Sequence, residues 1–473
     1  MAEAEAIVVG SGPNGLAAAI VLAQAGVKVR VLEADQQIGG GLRSVEATLP
    51  GWVHDHCSAI HPLGIGSPFF RTLPLERFGL EWVHPDAPLA HPLDDGTAVL
   101  LERSIEATTR WLDPADVNAY RDLMAPLAAE WQRLSRILLA PLAPMKHPIE
   151  LARFAMNALR PITSIARRFS GHRAKALLAG MAGHAMLPLD VAGGGAIALV
   201  LAAAGHSVGW PFPRGGAQKL ADALAGYLRS LGGEIVTGAH VRSIDDLPAC
   251  RAVLFDVSPR PLLEIVGARF PSRYRKQLQQ FRYSRMGAFK VDWALSSPVP
   301  WTAVEVRRSG TVHLGGTMEE IQSCERSVWR GQGNDQPYMI LAQHTLFDAA
   351  RAPGGKHTLW AYCHVPNGSE QDMVGRMEAQ IERFAPGFRD CVLARKATTP
   401  CNFEVFNPNI VGGDINGGMQ DLFQSFVRPT LNHYVTPLPN VFICSSSTPP
   451  GGGVHGMCGF GAANVALRRI FQR

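Results

Sequence analysis

The sequence predicts an α/β protein. A parallel-sheet unit with a β-meander is interleaved with an α+β unit that carries a mixed or antiparallel sheet and a helical insert. Three observations lead there. The chain opens on strand, glycine turn, helix and second strand between Ala6 and Ala34. The same α/β alternation returns in "WPFPRGGAQKLADALAGYLRSLGGEIVTGAHVRSI". Between 285 and 415, strand-like runs follow one another with few helical runs between them. At 473 residues, 47% hydrophobic and 18% charged, the chain has material for two packed cores.

Composition also narrows the function. A net charge of +5 is too weak to argue for a nucleic-acid partner. The eight cysteines include no C-x-x-C pair, which argues against disulfide-reductase chemistry. Isolated thiols such as Cys250, Cys363 and Cys444 fit a reducing, cytoplasmic setting. No G-x-S-x-G nucleophile elbow occurs.

The first element is "AIVVGSGPNGLAAAIVLAQAGVKVRVLEA". Ile7 to Val9 read as a buried strand, Leu16 to Ala25 as a helix stopped by Gly26, and Val27 to Leu32 as the next strand. Gly10, Gly12 and Gly15 form G-x-G-x-x-G. Gly10 permits the tight turn, Gly12 lets backbone approach a pyrophosphate, and Gly15 lets helix and strand sit close. Free N–H groups at the helix start favour phosphate. Glu33 follows at the distance expected of an acid that binds ribose hydroxyls, and an acid there disfavours the 2′-phosphate of NADP. The segment is apolar enough to imitate a signal peptide but lacks a basic leader.

Next come "EADQQIGGGLRS" and, over 52–105, short strands and turns. "WVHDHCSAIHPL" gathers His54, His56 and His61. No carboxylate or thiol spacing completes a metal site around His54 and His56, so no metal is expected. Residues 106–190 read as largely helical. Within them 133–175 holds nine Lys/Arg against one acid, Glu150. Ile149 to Arg160 reads as amphipathic. Glu150, Arg153, Asn157 and Arg160 form its polar face, and Leu151, Ala152, Ala155, Met156 and Leu159 its apolar face. Two readings stand: a packed helix with a solvated face, or peripheral contact of 133–175 with an anionic membrane. Val191 to Gly205 is too short to span a bilayer and reads as buried structure.

Ala217 to Leu231 is the next helix, followed by the strands "EIVTGAHVRSI" and "AVLFDVSP". Over 285–415 the runs "GAFKVDWAL", "TVHLGGTM", "YMILAQHTL" and "HTLWAYCHV" read as strands, and "QDMVGRMEAQIERFAPGF" as a helix closed by Pro386 and Gly387. Lys290 and Asp292 alternate on one strand. A charge pair on a solvated face is the first reading, an acid–base role the second. No second G-x-G-x-x-G appears, so no separate NAD(P)H domain is expected. The chain closes on the strand "VFICSSS", the loop "STPPGGGVHGMCGFGAA" and a last helix.

The Gly10–Gly15 turn, the Gly39–Gly41 run with Arg43, "PRGGAQKLADAL" and the terminal glycine loop occur in an order that resembles the phytoene-dehydrogenase-like oxidoreductases. These relatives of the carotenoid desaturases belong to the glutathione-reductase-type FAD-binding superfamily. The resemblance implies a Rossmann-like FAD-binding domain over 1–105, 206–285 and 416–473, and a substrate domain over 106–205 and 286–415. It implies cofactor contacts from Gly10, Gly12, Pro13, Asn14, Gly15, Glu33, Ala34, Gly40, Gly41, Leu42, Arg43 and Val241. From the terminal segment it implies Thr448, Gly453, Val454, His455 and Met457, with the last helix aimed at the flavin. It places Ser58, His61 and His455 as candidate active-site residues. The sequence departs from the superfamily at Ser445–Ser447, where many members carry an acid. The implied activity is FAD-dependent desaturation of a hydrophobic small molecule by hydride transfer, with oxygen, a quinone or another acceptor taking the electrons. Amine oxidation, flavin-assisted cyclisation or isomerisation, and a non-catalytic flavin-binding role are the alternatives.

Overall fold

The computed structural model describes residues 4–140 and 148–473. Two sheets organise it. The first has five parallel strands in the order Val441–Ile443, Ala252–Phe255, Ala6–Val9, Val29–Leu32, Glu234–Val236. Ala6–Val9 lies at its centre, pairing Val8 with Leu254 on one side and Val31 on the other. All four residues of that strand are buried, as a continuous apolar run predicts for a strand covered on both faces. The Pro13–Gln24 helix covers one face, with Leu16 to Leu22 buried.

Strand order reverses between Ala6–Val9 and Ala252–Phe255, so a crevice opens at the carboxyl ends of those two strands. Only Glu234–Val236 of the expected "EIVTGAHVRSI" strand joins the sheet. In place of a full meander this unit carries short two-strand ladders, 44–46 with 53–55 and 82–83 with 212–213.

The second sheet has seven strands: Val392–Thr398, Met286–Leu295, His357–Pro366, Met339–Ala342, Ser309–Leu314, Ala87–Pro92, Ala98–Leu101. Every pairing is antiparallel except Ser309–Leu314 with Ala87–Pro92. The sheet is therefore mixed, and it corrects the expected boundary at 105. Residues 87–101 complete this sheet rather than the parallel one, because their ladder partner is Ser309–Val312. The Val374–Phe384 helix packs Met377, Ile381 and Phe384 into the same core as Val291 and Trp293.

Among the described residues, 106–140 and 148–183 are largely helical, as expected of 106–190. The Gly194–Ser207 helix is entered through Gly193 at φ +88° and is largely buried. The Pro148–Ala158 helix packs against it. Its inward face differs from the expected one. Phe154 and Ala158, four residues apart, are its buried residues, whereas Ile149, Met156 and Leu159 are exposed. Among the described residues no helix is long and apolar enough to cross a membrane.

Candidate cofactor and substrate cavity

One cavity of about 780 Å³ runs from the crevice of the parallel sheet to the face of the mixed sheet. Its volume falls in the upper part of the usual range for ligand sites, about 300–1,000 Å³.

The parallel-sheet end is built by the glycine turn. Gly10 sits at φ +102°, a conformation that side chains rarely adopt. At Gly12 a Cβ would lie 2.7 Å from Asp256 Oδ2 and would push that carboxylate aside. At Gly15 a Cβ would run into the Gly10 carbonyl oxygen. Gly10, Gly12, Pro13 and Asn14 line the cavity, joined by Glu33, Ala34, Gly40, Gly41, Arg43 and Val241. Glu33 Oε2 accepts from the Ser11 N–H (2.9 Å) and hydroxyl (2.5 Å), which fixes the acid at its strand end. Arg43 is buried, pairs with Asp35 at 2.5 Å and lies over the Phe406 ring, so it is no solvated loop charge.

Asp256 did not stand out in the sequence. It follows the Ala252–Phe255 strand, and its Oδ2 accepts from the Gly15 N–H at 2.8 Å. Burial pushes its carboxyl up to about 7; the Gly15 hydrogen bond opposes this and the Glu33 charge adds to it. The available signal was its position at a parallel strand's carboxyl end, where ligands bind.

Ser58 and His61 meet at the cavity wall, Ser58 Oγ to His61 Nε2 at 2.8 Å. Burial drives His61 down to about 4, so the ring is neutral at physiological pH. The segment that carries them is anchored by Asp55, which pairs with buried Arg351 (2.6 Å) and accepts from the Ala217 N–H (2.7 Å). His54 and His56 part company. His54 sits between Thr48 and Asp292, while His56 stacks on Phe406 at 3.6 Å.

The terminal loop differs from expectation. Gly452, Gly453 and Val454 line the cavity, as do Ser445 and Ser446, but His455 does not. The His455 ring is buried and its Nδ1 accepts from the Met457 N–H (3.1 Å), capping the last helix. Burial lowers it to about 4. Thr448 and Met457 are buried away from the cavity, with the Thr448 hydroxyl donating to Ser445 O. Leu42 is core, and Gly15 lies behind Asp256. No residue of the last helix, Met457–Ala466, lines the cavity. Gly459 instead brings it onto the first helix, where a Cβ would overlap the Asn14 carbonyl.

Lys290 and Asp292 correct the solvated-face reading. Each is 1% exposed, and they pair at 2.5 Å. Burial pushes Asp292 up, but the Lys290 charge and His54 bring it below the usual carboxylate value. Lys290 lines the cavity beside Trp360. Trp210, Trp360, Tyr362, Ile340, Val200 and Leu201 complete this end. His184 also reaches the cavity, its Nε2 held 2.9 Å from His313 Nε2; burial first, then the His364 charge, lowers it to about 3. Asp414 lines the cavity too, but its oxygens accept from the Ser284 and Asn416 N–H groups. Apart from Lys290, none of these wall residues stood out in the sequence, since an aromatic in a strand is ordinarily core.

The residues at the glycine turn fit a dinucleotide. Asn14 Oδ1 and Arg43 Nε are buried and lack a hydrogen-bond partner among the described residues, and both belong to the cavity wall at the glycine turn. A bound diphosphate and its ribose would supply acceptors and donors there.

Residues 8–73 match the family described as "NAD(P)-binding Rossmann-like domain". The chain is 25% identical to the Mus musculus pyridine nucleotide-disulfide oxidoreductase domain-containing protein 2, over 99% of this chain and 94% of that one. It is 32% identical to a limonene dehydrogenase chain of Castellaniella defragrans, over 26% of this chain and 22% of that one. Among solved structures, an oxidoreductase from Methanosarcina mazei superposes with a TM-score of 0.66 at 16% identity, covering 97% of this chain and 99% of that one. Putrescine oxidase superposes with a TM-score of 0.61 at 18% identity, covering 99% of both chains. These homologues and structural neighbours are oxidoreductases, and this chain shares the fold of the two solved structures.

Proposed function

We propose that the protein is an FAD-dependent oxidoreductase that dehydrogenates an apolar small molecule. What supports the reading is a single continuous cavity, with a dinucleotide turn at one end and an aromatic, aliphatic wall at the other. The backbone of Gly10 to Asn14 would hold the diphosphate, Glu33 the ribose, and Gly40, Gly41, Arg43, Val241 and Ser445–Ser446 the rest. A bound flavin supplies a hydride acceptor at N5 and needs little acid–base help from the protein.

The chain's own residues orient and exclude water. Trp210, Trp360 and Tyr362 with Ile340, Val200 and Leu201 favour an apolar ligand over a hydrated one. His184 and His61, both neutral, offer polar contacts without charge. Lys290 holds one fixed positive charge at the wall, balanced by Asp292. Asp414, the carboxylate among these wall residues, is held in place by backbone N–H groups. The apolar wall thus favours C–C over C–N oxidation. Electrons would leave to oxygen, a quinone or another acceptor.

The test starts with the absorbance of the purified protein, where flavin bands are expected. Anaerobic titration with apolar alkenes and with primary amines then separates the readings. Bleaching by the alkene-type donor, with a product of extended conjugation, is expected. A protein that takes up no FAD, or a flavin bleached by amines alone, would sink the proposal.

A further inference from the structure

The exposed apolar residues are not scattered. On the Pro148–Ala158 helix and just past it, Ile149 (71% exposed), Met156 (63%) and Leu159 recur at spacings that place them on one stripe, with Ala152 between them. The opposite face, through Phe154 and Ala158, is already packed on the core. Arg153 and Arg160 are exposed and border the stripe. A second group lies on the Leu422–Phe426 helix and beyond it: Phe423 (70%), Phe426 and Leu431 (77%). The two elements adjoin at Gly193. Its N–H donates to Leu159 O at 3.0 Å, and a Cβ there would lie 2.7 Å from Leu422 Cδ2.

We infer that this two-part surface docks the protein on an anionic lipid bilayer. Charge selects the occupant. Arg136, Arg160, Arg167 and Arg168 are exposed and have no ion-pair partner among the described residues. Apolar side chains beside such arginines suit a headgroup layer, where the former enter the acyl boundary and the latter meet phosphate. A second copy of the chain is disfavoured, since a two-fold contact would set the same arginines against each other. The absence of a membrane-crossing helix among the described residues fits a protein that lies on the surface.

The surface also adjoins the cavity. The Gly194–Ser207 helix, which starts at Gly193, lines the cavity with Ile197, Val200 and Leu201, and Gln420 lines it two residues before Leu422. A bilayer would then be the reservoir of the apolar substrate, a corollary that rests on the function proposed above; docking itself does not.

The full chain is sedimented with vesicles of phosphatidylcholine alone and of phosphatidylcholine with phosphatidylglycerol. Binding to the anionic vesicles only, weakened by salt, is expected. Ile149→Ser/Met156→Ser/Phe423→Ser should abolish it. Arg153→Gln and Arg160→Gln should each lower it by about fivefold, the worth of one basic residue near such a surface. Val304→Ser, at a residue 64% exposed before the Ser309–Leu314 strand, should leave it unchanged. If the triple variant does not fold, the arginine variants carry the test. Wild-type protein that ignores anionic vesicles, variants that bind like wild type, or light scattering that finds a dimer shielding Met156 and Phe423 would each overturn the inference. The readout needs no turnover, so its failure is distinct from failure of the redox assignment.

Discussion

At the residue scale, Asp256 ties the glycine turn to pH. Its folded value of about 7 lies above the ordinary 3.8, so the folded chain keeps a proton that the unfolded chain has lost. Stability from this group therefore falls as pH rises from about 4 to about 7, by up to about 1.4 kcal/mol per pH unit. Asp256→Asn removes that slope. Its urea midpoint should be flatter than wild type across the window and higher above it; parallel profiles would contradict the assignment. Lys290 poses the opposite case. Lys290→Met strands the Asp292 carboxylate in the core and should cost about 3–5 kcal/mol, the usual penalty for breaking a buried pair. Lys290→Met/Asp292→Leu should recover most of that loss, because the desolvated charge goes with its partner. A double variant as unstable as the single one would show that the pair is not the source. Neither residue could be placed from the sequence. A Lys-x-Asp spacing on a strand looks the same whether the face meets water or a cavity.

At the element scale, the local signals were legible. The glycine turn, the helix it starts and the two flanking strands lie where periodicity puts them, because a strand's and a helix's own backbone sets their periods. Strands of the mixed sheet were legible for the same reason, but the place of Ala87–Leu101 in that sheet depends on a partner near 309. Glycines divide by what surrounds them. Gly459→Ala would push a methyl into the Asn14 carbonyl where the first and last helices cross, and should destabilise by more than about 2 kcal/mol. Gly375→Ala, in the Val374–Phe384 helix with open space around it, should be neutral or stabilise by up to about 1 kcal/mol. Chemical denaturation of the two single variants checks both; equal effects would contradict the close helix crossing.

At the scale of the whole molecule, the cavity joins the two sheets, so a ligand filling it bridges both cores. Stripped of flavin, the protein should melt at a lower temperature. FAD at a hundredfold excess over its Kd should restore about 2.7 kcal/mol. NADPH should give no such shift, because an acid at this strand end, Glu33, disfavours a 2′-phosphate. A shift with NADPH as large as with FAD would count against the dinucleotide assignment.

By itself the sequence determined the glycine turn, the acid at the second strand's end and the alternation of elements, since each is set by neighbours within a few residues. Tertiary structure decided the rest. It turned His455 inward to cap a helix, took Lys290 and Asp292 out of water, chose Phe154 rather than Met156 for the core, and set Asp256 against Gly15 across 241 positions of chain. Those outcomes depend on contacts between segments far apart, and burial by a distant segment leaves no period in the residues it covers.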